Sequence, residues 1–264
     1  MTNGRLTTRA AAALACALSV AACGSSGARL PLASAPRVDP ARVLLDVLAE
    51  RVPSLRAPSE PSDELARAAR AARGPARVDA NRRLALAHLS EAESADERAA
   101  RRHRKAAARV AQDVARRTRD AWVAAEMDFV SLLAAWRGGN AREVERRGEA
   151  FVERRGRDAS ELALFAWMVR GEAALGAQRW DQAATAYRVV LGQLDHPLYA
   201  FGLWRTAACY RGLGRASDAR QALIEADAIG DRRGVHRAAR QVADAARAEL
   251  GLPARRASHE RQDE

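Results

Sequence analysis

Residues 158–191 read DASELALFAWMVRGEAALGAQRWDQAATAYRVVL, and this stretch decides the fold. Asp158 and Glu161 stand at capping-box spacing with an apolar run directly behind them, which marks a helix start. Gly176 then fits a turn or helix end, and a second run follows it. Shifting by 36 residues places Gly171 on Ala207, Ala174 on Tyr210, Gln178 on Gly214, Ala183 on Ala219, Tyr187 on Leu223 and Val190 on Ala226. Small and large positions broadly keep their kind, and a period of this length is the mark of stacked helix pairs.

Trp167, Gly171, Ala183 and Tyr187 supply a tryptophan early in a first helix, a small residue one turn later, then an alanine and an aromatic in the second. In this the segment resembles the tetratricopeptide repeat family. The resemblance implies an all-α chain, a TPR-like antiparallel helix-pair solenoid, in which paired helices cross closely at small residues while large ones fill the groove to the next repeat. It also implies a partner groove lined by first helices. Matched by position, its residues are Phe165, Met168 and Glu172 in one repeat and Phe201, Trp204 and Arg211 in the next. Met168, Glu172, Trp204 and Arg211 are the candidate groove; aromatics at helical spacing usually pack inside, and for Phe165, Phe201 and Trp204 that core placement is the alternative.

Outward from the repeats, a shift of 39 places Gly139 on Gln178 and Val144 on Ala183 but Gly148 on Tyr187, a degenerate earlier repeat. Downstream, Val235, Ala239, Val242, Ala246 and Leu250 form a stripe over 233–250, bounded by Gly251 and Pro253, that suits a capping helix. Two clear repeats fall short of the three or so a free solenoid needs, so less regular N-terminal helices must complete the core.

Those helices occupy 39–157. Asp39-Pro40 offers an N-cap and a first-turn proline, with Val43, Leu44, Val47 and Leu48 behind it, so a helix runs to about Arg51. Prolines 53, 58 and 61 break the chain; helices follow over 62–73 and from Pro75 to about Ser90. Ser94 and Glu97 form a capping box, and no glycine or proline occurs until Gly138-Gly139, which predicts one helix of roughly 40 residues. Ala107, Val110, Ala111, Val114, Thr118, Ala121, Ala125, Leu132 and Trp136 fall near one side of it. Opposite lie Arg98, Arg101, Arg102, Lys105, Arg109 and Arg116, either a solvated outer face or a surface for anionic headgroups or an acidic partner.

At the N-terminus Arg5 and Arg9 precede an uncharged run over 10–22, the order of a secretory signal peptide and too short for a membrane span. Val20-Ala21-Ala22-Cys23 resembles the lipobox of bacterial lipoproteins. That resemblance implies diacylglyceryl attachment at Cys23 and N-acylation after cleavage, and Gly24 in place of an aspartate implies sorting to the outer membrane. An ordinary secreted chain cut near Ala22 is the alternative. The expected organisation is signal 1–22, lipidated tether 23–38, helices 39–157, repeats and capping helix 158–251, and a tail over 252–264.

The net charge is +11, yet of 44 basic residues only Lys105 is lysine. An exported chain makes nucleic acid an unlikely partner, and the basicity suits anionic envelope components. Besides Cys23 only Cys209 remains after cleavage, a buried small hydrophobe by expectation, and no internal disulfide can form. Histidines 88, 103, 196, 236 and 259 are scattered, without an HExxH arrangement or a cysteine pair, so neither metal nor cofactor is indicated. No GxSxG elbow or Walker loop occurs, so catalysis is not expected. The expected function is a lipid-tethered scaffold for an envelope protein or peptide, such as an accessory subunit of an assembly or secretion machine. The alternative is a structural lipoprotein whose basic face binds lipopolysaccharide or anionic lipid.

Overall fold

The computed structural model describes residues 38–157, 159–232 and 234–254. The signal, Cys23, most of the tether and most of the tail therefore lie outside the described residues, as does the expected cap Asp158. The described chain is all-α: α1 Pro40–Arg51, α2 Ser62–Ala71, α3 Gly74–Ser94, α4 Glu97–Arg117, α5 Ala121–Arg137, α6 Ala141–Arg155, α7 Ser160–Gly176, α8 Trp180–Leu191, α9 Tyr199–Gly212, α10 Ala216–Ile229 and α11 Arg237–Glu249, with one 3₁₀ turn at Pro53–Leu55. From α2 onward each helix packs on the next, in a solenoid-like run of adjacent pairs.

Three of the pairs close with the same turn. After α5, α7 and α9, the residue that takes the left-handed conformation is Gly139 (φ 69°), Gln178 (φ 58°) and Gly214 (φ 73°) respectively. In each turn the next amide reaches back five residues to a carbonyl: Asn140 N to Ala135 O at 3.3 Å, Arg179 N to Ala174 O at 2.8 Å, and Arg215 N to Tyr210 O at 2.8 Å. This is the Schellman closure, which satisfies carbonyls a helix end leaves bare. The shared register of 139, 178 and 214 extends the pairing upstream to α5 and α6.

Inside the α7–α8 pair, Gly171 sets the crossing distance. A Cβ on Gly171 would stand 2.5 Å from Cε1 of Tyr187, whose ring is wholly buried. Gly171→Val is expected to lower stability by about 1–3 kcal/mol, since the ring has no free volume to move into; thermal unfolding checks this.

The expected 40-residue helix does not form. Asp96, two residues beyond Ser94, is the N-cap of α4, its carboxylate accepting from Ala99 N at 2.9 Å, and α3 continues through Ser94. A second break follows at 118–120. Thr118 Oγ1 accepts from Asp120 N at 3.1 Å, and Asp120 Oδ1 accepts from Trp122 N at 2.9 Å and Val123 N at 3.1 Å, starting α5. Short oxygen-bearing side chains thus end one helix and begin another without glycine or proline. The break changes the register of the apolar stripe, so Ala121 is exposed while Ala107, Ala111 and Val114 remain buried.

The first helix, α1, is capped by Asp39, whose Oδ1 accepts from Ala41 N at 3.0 Å. It packs on α7 and touches α11. Val43, Leu44, Val47 and Leu48 are buried in the same apolar cluster as Leu162, Phe165 and Met168. Polar links tie α1 down: Arg51 Nε donates to Glu161 Oε1 at 2.8 Å, and Glu50 Oε2 lies 2.7 Å from His236 Nε2 beside α11. Just beyond α1, the hydroxyl of Ser54 meets the fully buried Glu126 of α5, which also meets Arg82 of α3 at 2.9 Å and the Trp122 indole at 2.8 Å.

Candidate functional site

Three groups of side chains bear on function. The first is the expected first-helix groove. Phe165, Met168 and Phe201 are wholly buried, and Met168 therefore leaves the groove: it has no surface to offer a partner. Glu172 points into a closed network. Arg205 of α9 donates to it through Nε at 2.6 Å and Nη2 at 2.8 Å, and the Tyr187 hydroxyl donates at 2.6 Å. Burial, with the Glu172 charge, pushes the Tyr187 phenol well above its ordinary value, which keeps it a donor. Burial opposes the Arg205 charge, and the Glu172 carboxylate outweighs it and raises the guanidinium.

Trp204 and Arg211 are both taken by Glu249 of α11. The indole Nε1 donates to Glu249 Oε1 at 2.6 Å, and the Arg211 guanidinium pairs with Oε2 of the same carboxylate. Trp204 is 8% exposed and packs edge-on against Phe201. Met168, Glu172 and Trp204 are thus taken up by internal contacts, Met168 in the cluster shared with α1 and Trp204 against α11, whereas Arg211 stays half exposed with its Glu249 pair at the surface. Cys209 is buried, and burial pushes its thiol up to about 12, so it packs as an apolar side chain.

The second group is the basic face of α4. Arg98, Arg101, Arg102, Lys105, Arg109 and Arg116 are all exposed and lie along one side of the helix, away from buried Ala100, Ala107, Ala111 and Val114. Arg101 pairs loosely with Glu97 at 3.9 Å and Arg116 with Asp113 at 3.6 Å, both in solvent. Arg98, Arg102, Lys105 and Arg109 have no carboxylate partner among the described residues.

The third group is one the scattered histidines did not suggest. His88 and Glu91 stand one turn apart on α3, and His103 faces them from α4 across the turn at 95–96. His88 Nδ1 lies 3.2 Å from His103 Nδ1; His103 Nδ1 lies 3.1 Å and His88 Nδ1 3.7 Å from Glu91 Oε2. The other carboxylate oxygen, Glu91 Oε1, accepts from the backbone N–H of Ser62 at 2.7 Å, at the start of α2. Oε2 is buried, and the His103 Nδ1–H tautomer is what would donate to it. Burial lowers His88 below its ordinary value against the pull of Glu91. Burial pushes Glu91 up, and the Ser62 hydrogen bond with the two imidazoles outweighs it, so its carboxyl sits low. The sequence signal was the His-x-x-Glu spacing at 88–91, which places both side chains on one helix face.

Compared with known proteins, the chain matches no family model, no curated protein and no solved structure.

Proposed function

We propose that this chain is a membrane-tethered, non-catalytic interaction scaffold of the bacterial cell envelope, held by lipid on Cys23 at the outer membrane and facing the periplasm, and that its working surface is the basic face of α4. The observation that carries the reading is the row of exposed cations Arg98, Arg102, Lys105 and Arg109, which lack carboxylate partners among the described residues. A cation satisfied inside the protein has little to give a partner, whereas this row attracts an acidic surface through long-range fields. The tetratricopeptide-like spacing supports a scaffold, with helix pairs serving to hold α4 outward rather than to open an apolar groove. The residues 24–38 reach about 50 Å at most when extended, which keeps the helices near the bilayer to which Cys23 would be bound. Such a protein suits an accessory subunit of an envelope assembly or secretion machine.

A second reading rests on the same face: its partner is lipopolysaccharide or anionic lipid. The exposed surface of α4 is cationic and its opposite side is alanine-rich and buried, so contact with lipid would be electrostatic rather than insertive.

The test places a photo-crosslinker at position 101 in cells and compares the lipidated chain with Arg102→Glu, Lys105→Glu and Arg109→Glu combined. The expected result is one acidic protein crosslinked by the unreversed chain and lost on reversal, with binding that falls steeply between about 50 and 200 mM salt. Retention of lipopolysaccharide or anionic vesicles without a protein crosslink selects the second reading. A crosslinked protein that survives the triple reversal removes the α4 face from the proposal. Fractionation of Cys23→Ser tests the tether independently: the chain should leave the membrane fraction, because two or more acyl chains are what makes anchoring stable.

A further inference from the structure

We propose that His88, Glu91 and His103 form a binding site for a divalent transition-metal ion of the Zn²⁺ class, joining α3 to α4. The inference does not depend on the scaffold reading. It starts from three converging ligand atoms: His88 Nδ1, His103 Nδ1 and Glu91 Oε2 all lie within 4.8 Å of one another.

Protons serve this arrangement only in part. A neutral imidazole carries one N–H, so one ring can donate to the other across the 3.2 Å gap between the two Nδ1 atoms. An Nδ1–H on His103 can go instead to the buried Glu91 Oε2 at 3.1 Å, so one proton is shared between two acceptors. A cation between the three atoms would answer all of them at once.

The geometry suits a small tetrahedral ion. With metal–ligand bonds of about 2.0–2.1 Å at near-tetrahedral angles, ligand atoms stand about 3.3–3.4 Å apart. The three separations here are 3.2, 3.1 and 3.7 Å, which bracket that spacing without any helix having to move. Two imidazoles with one carboxylate favour zinc-like ions over magnesium or calcium, which prefer all-oxygen shells. The carboxylate is held in place from behind by the Ser62 backbone N–H on Oε1, the kind of outer contact that fixes a ligand's orientation.

The position is reachable. The side chains of His88, Glu91 and His103 are 18%, 30% and 30% exposed, so the cluster is only partly covered and an ion can enter, with water or a donor from a partner protein left to complete its shell. Bound there, the ion would tie the α3–α4 hairpin together and, through Glu91, hold the start of α2. Because the same hairpin carries the basic face, the ion would also stiffen the mounting of α4.

The test uses the full chain in detergent, purified without a histidine tag, stripped with EDTA and titrated with ZnCl₂ against a chromophoric chelator. The expected result is one Zn²⁺ per chain, a thermal midpoint that rises with added zinc, and a visible d–d spectrum of four-coordinate intensity when Co²⁺ is substituted. His103→Ala and, as the isosteric variant, Glu91→Gln should each weaken zinc binding by about 100-fold or more, since even outer-contact losses at such sites reach that size. His236→Ala, at a histidine paired with Glu50 away from the cluster, should leave it unchanged. Far-UV circular dichroism of Glu91→Gln matching the unsubstituted chain confirms that lost binding is not lost folding. Failure of the unsubstituted chain to take up stoichiometric zinc overturns the proposal, as does zinc binding that persists in both His103→Ala and Glu91→Gln.

Discussion

Glu172→Ala should cost about 3–5 kcal/mol of folding stability, a large share of the roughly 5–15 kcal/mol that holds a typical domain together. The reason lies in what the substitution abandons. Arg205 keeps its charge at any attainable pH, and with Glu172 gone it stays between α7 and α9 with neither of its two carboxylate hydrogen bonds. The Tyr187 hydroxyl, fully buried, loses its acceptor as well. Breaking one side of a buried pair costs far more than the pair contributes, because the cost is the desolvation of the partner left behind. Urea unfolding checks this: the midpoint should fall with the slope unchanged. Glu172→Leu combined with Arg205→Leu should recover much of the loss, since an apolar pair asks for no hydrogen bonds. A loss below about 1 kcal/mol in Glu172→Ala would put this contact with ordinary surface pairs and undo the argument.

The second large effect is expected at Met168. Truncation to alanine should destabilise the chain by about 2–5 kcal/mol, because the side chain is wholly buried in the cluster shared by α1 and α7, and its removal leaves a cavity. The contrast with α4 separates the two interaction surfaces. Arg102→Glu should leave stability within about 0.5 kcal/mol of the unsubstituted chain, as exposed positions without partners generally do, while changing what the α4 face captures. Met168→Ala should do the reverse: a lower thermal midpoint, with capture per folded molecule unchanged. Partner loss in Met168→Ala at unchanged stability would reinstate the groove.

Helix pairing was legible because its signals are local. Gly171 and Tyr187 stand at spacings that only a close helix crossing requires, and the 36-residue shift superposed Gln178 on Gly214, positions that proved to share one left-handed turn. Gly139 fell into the same turn although Gly148 broke the side-chain pattern, because turn closure depends on backbone conformation while the groove-filling position depends on its neighbours. Asp39 was legible as a cap for the same local reason. The breaks at 95–96 and 118–120 were not, since Asp96, Thr118 and Asp120 are tolerated within helices, and whether their oxygens cap or point to solvent is settled by what the flanking helices pack against.

The site residues divide along the same line. Exposure of the α4 cations followed from their spacing, because a helix with one alanine-lined apolar stripe has only one face to bury. The fate of the groove did not follow. Whether Met168 and Trp204 meet a partner or the chain itself depends on where α1 and α11 settle, and nothing in residues 158–230 records that. His88 and His103 stand equally far from the turn at 95–96, one before and one after, yet their meeting required the long helix to break there first. The sequence by itself determined the all-helical class, the pairing of helices and the basic face, all written in spacings of a few residues. Only the tertiary structure decided which faces close on one another, because burial at a distance is a property of packed helices and not of any one of them.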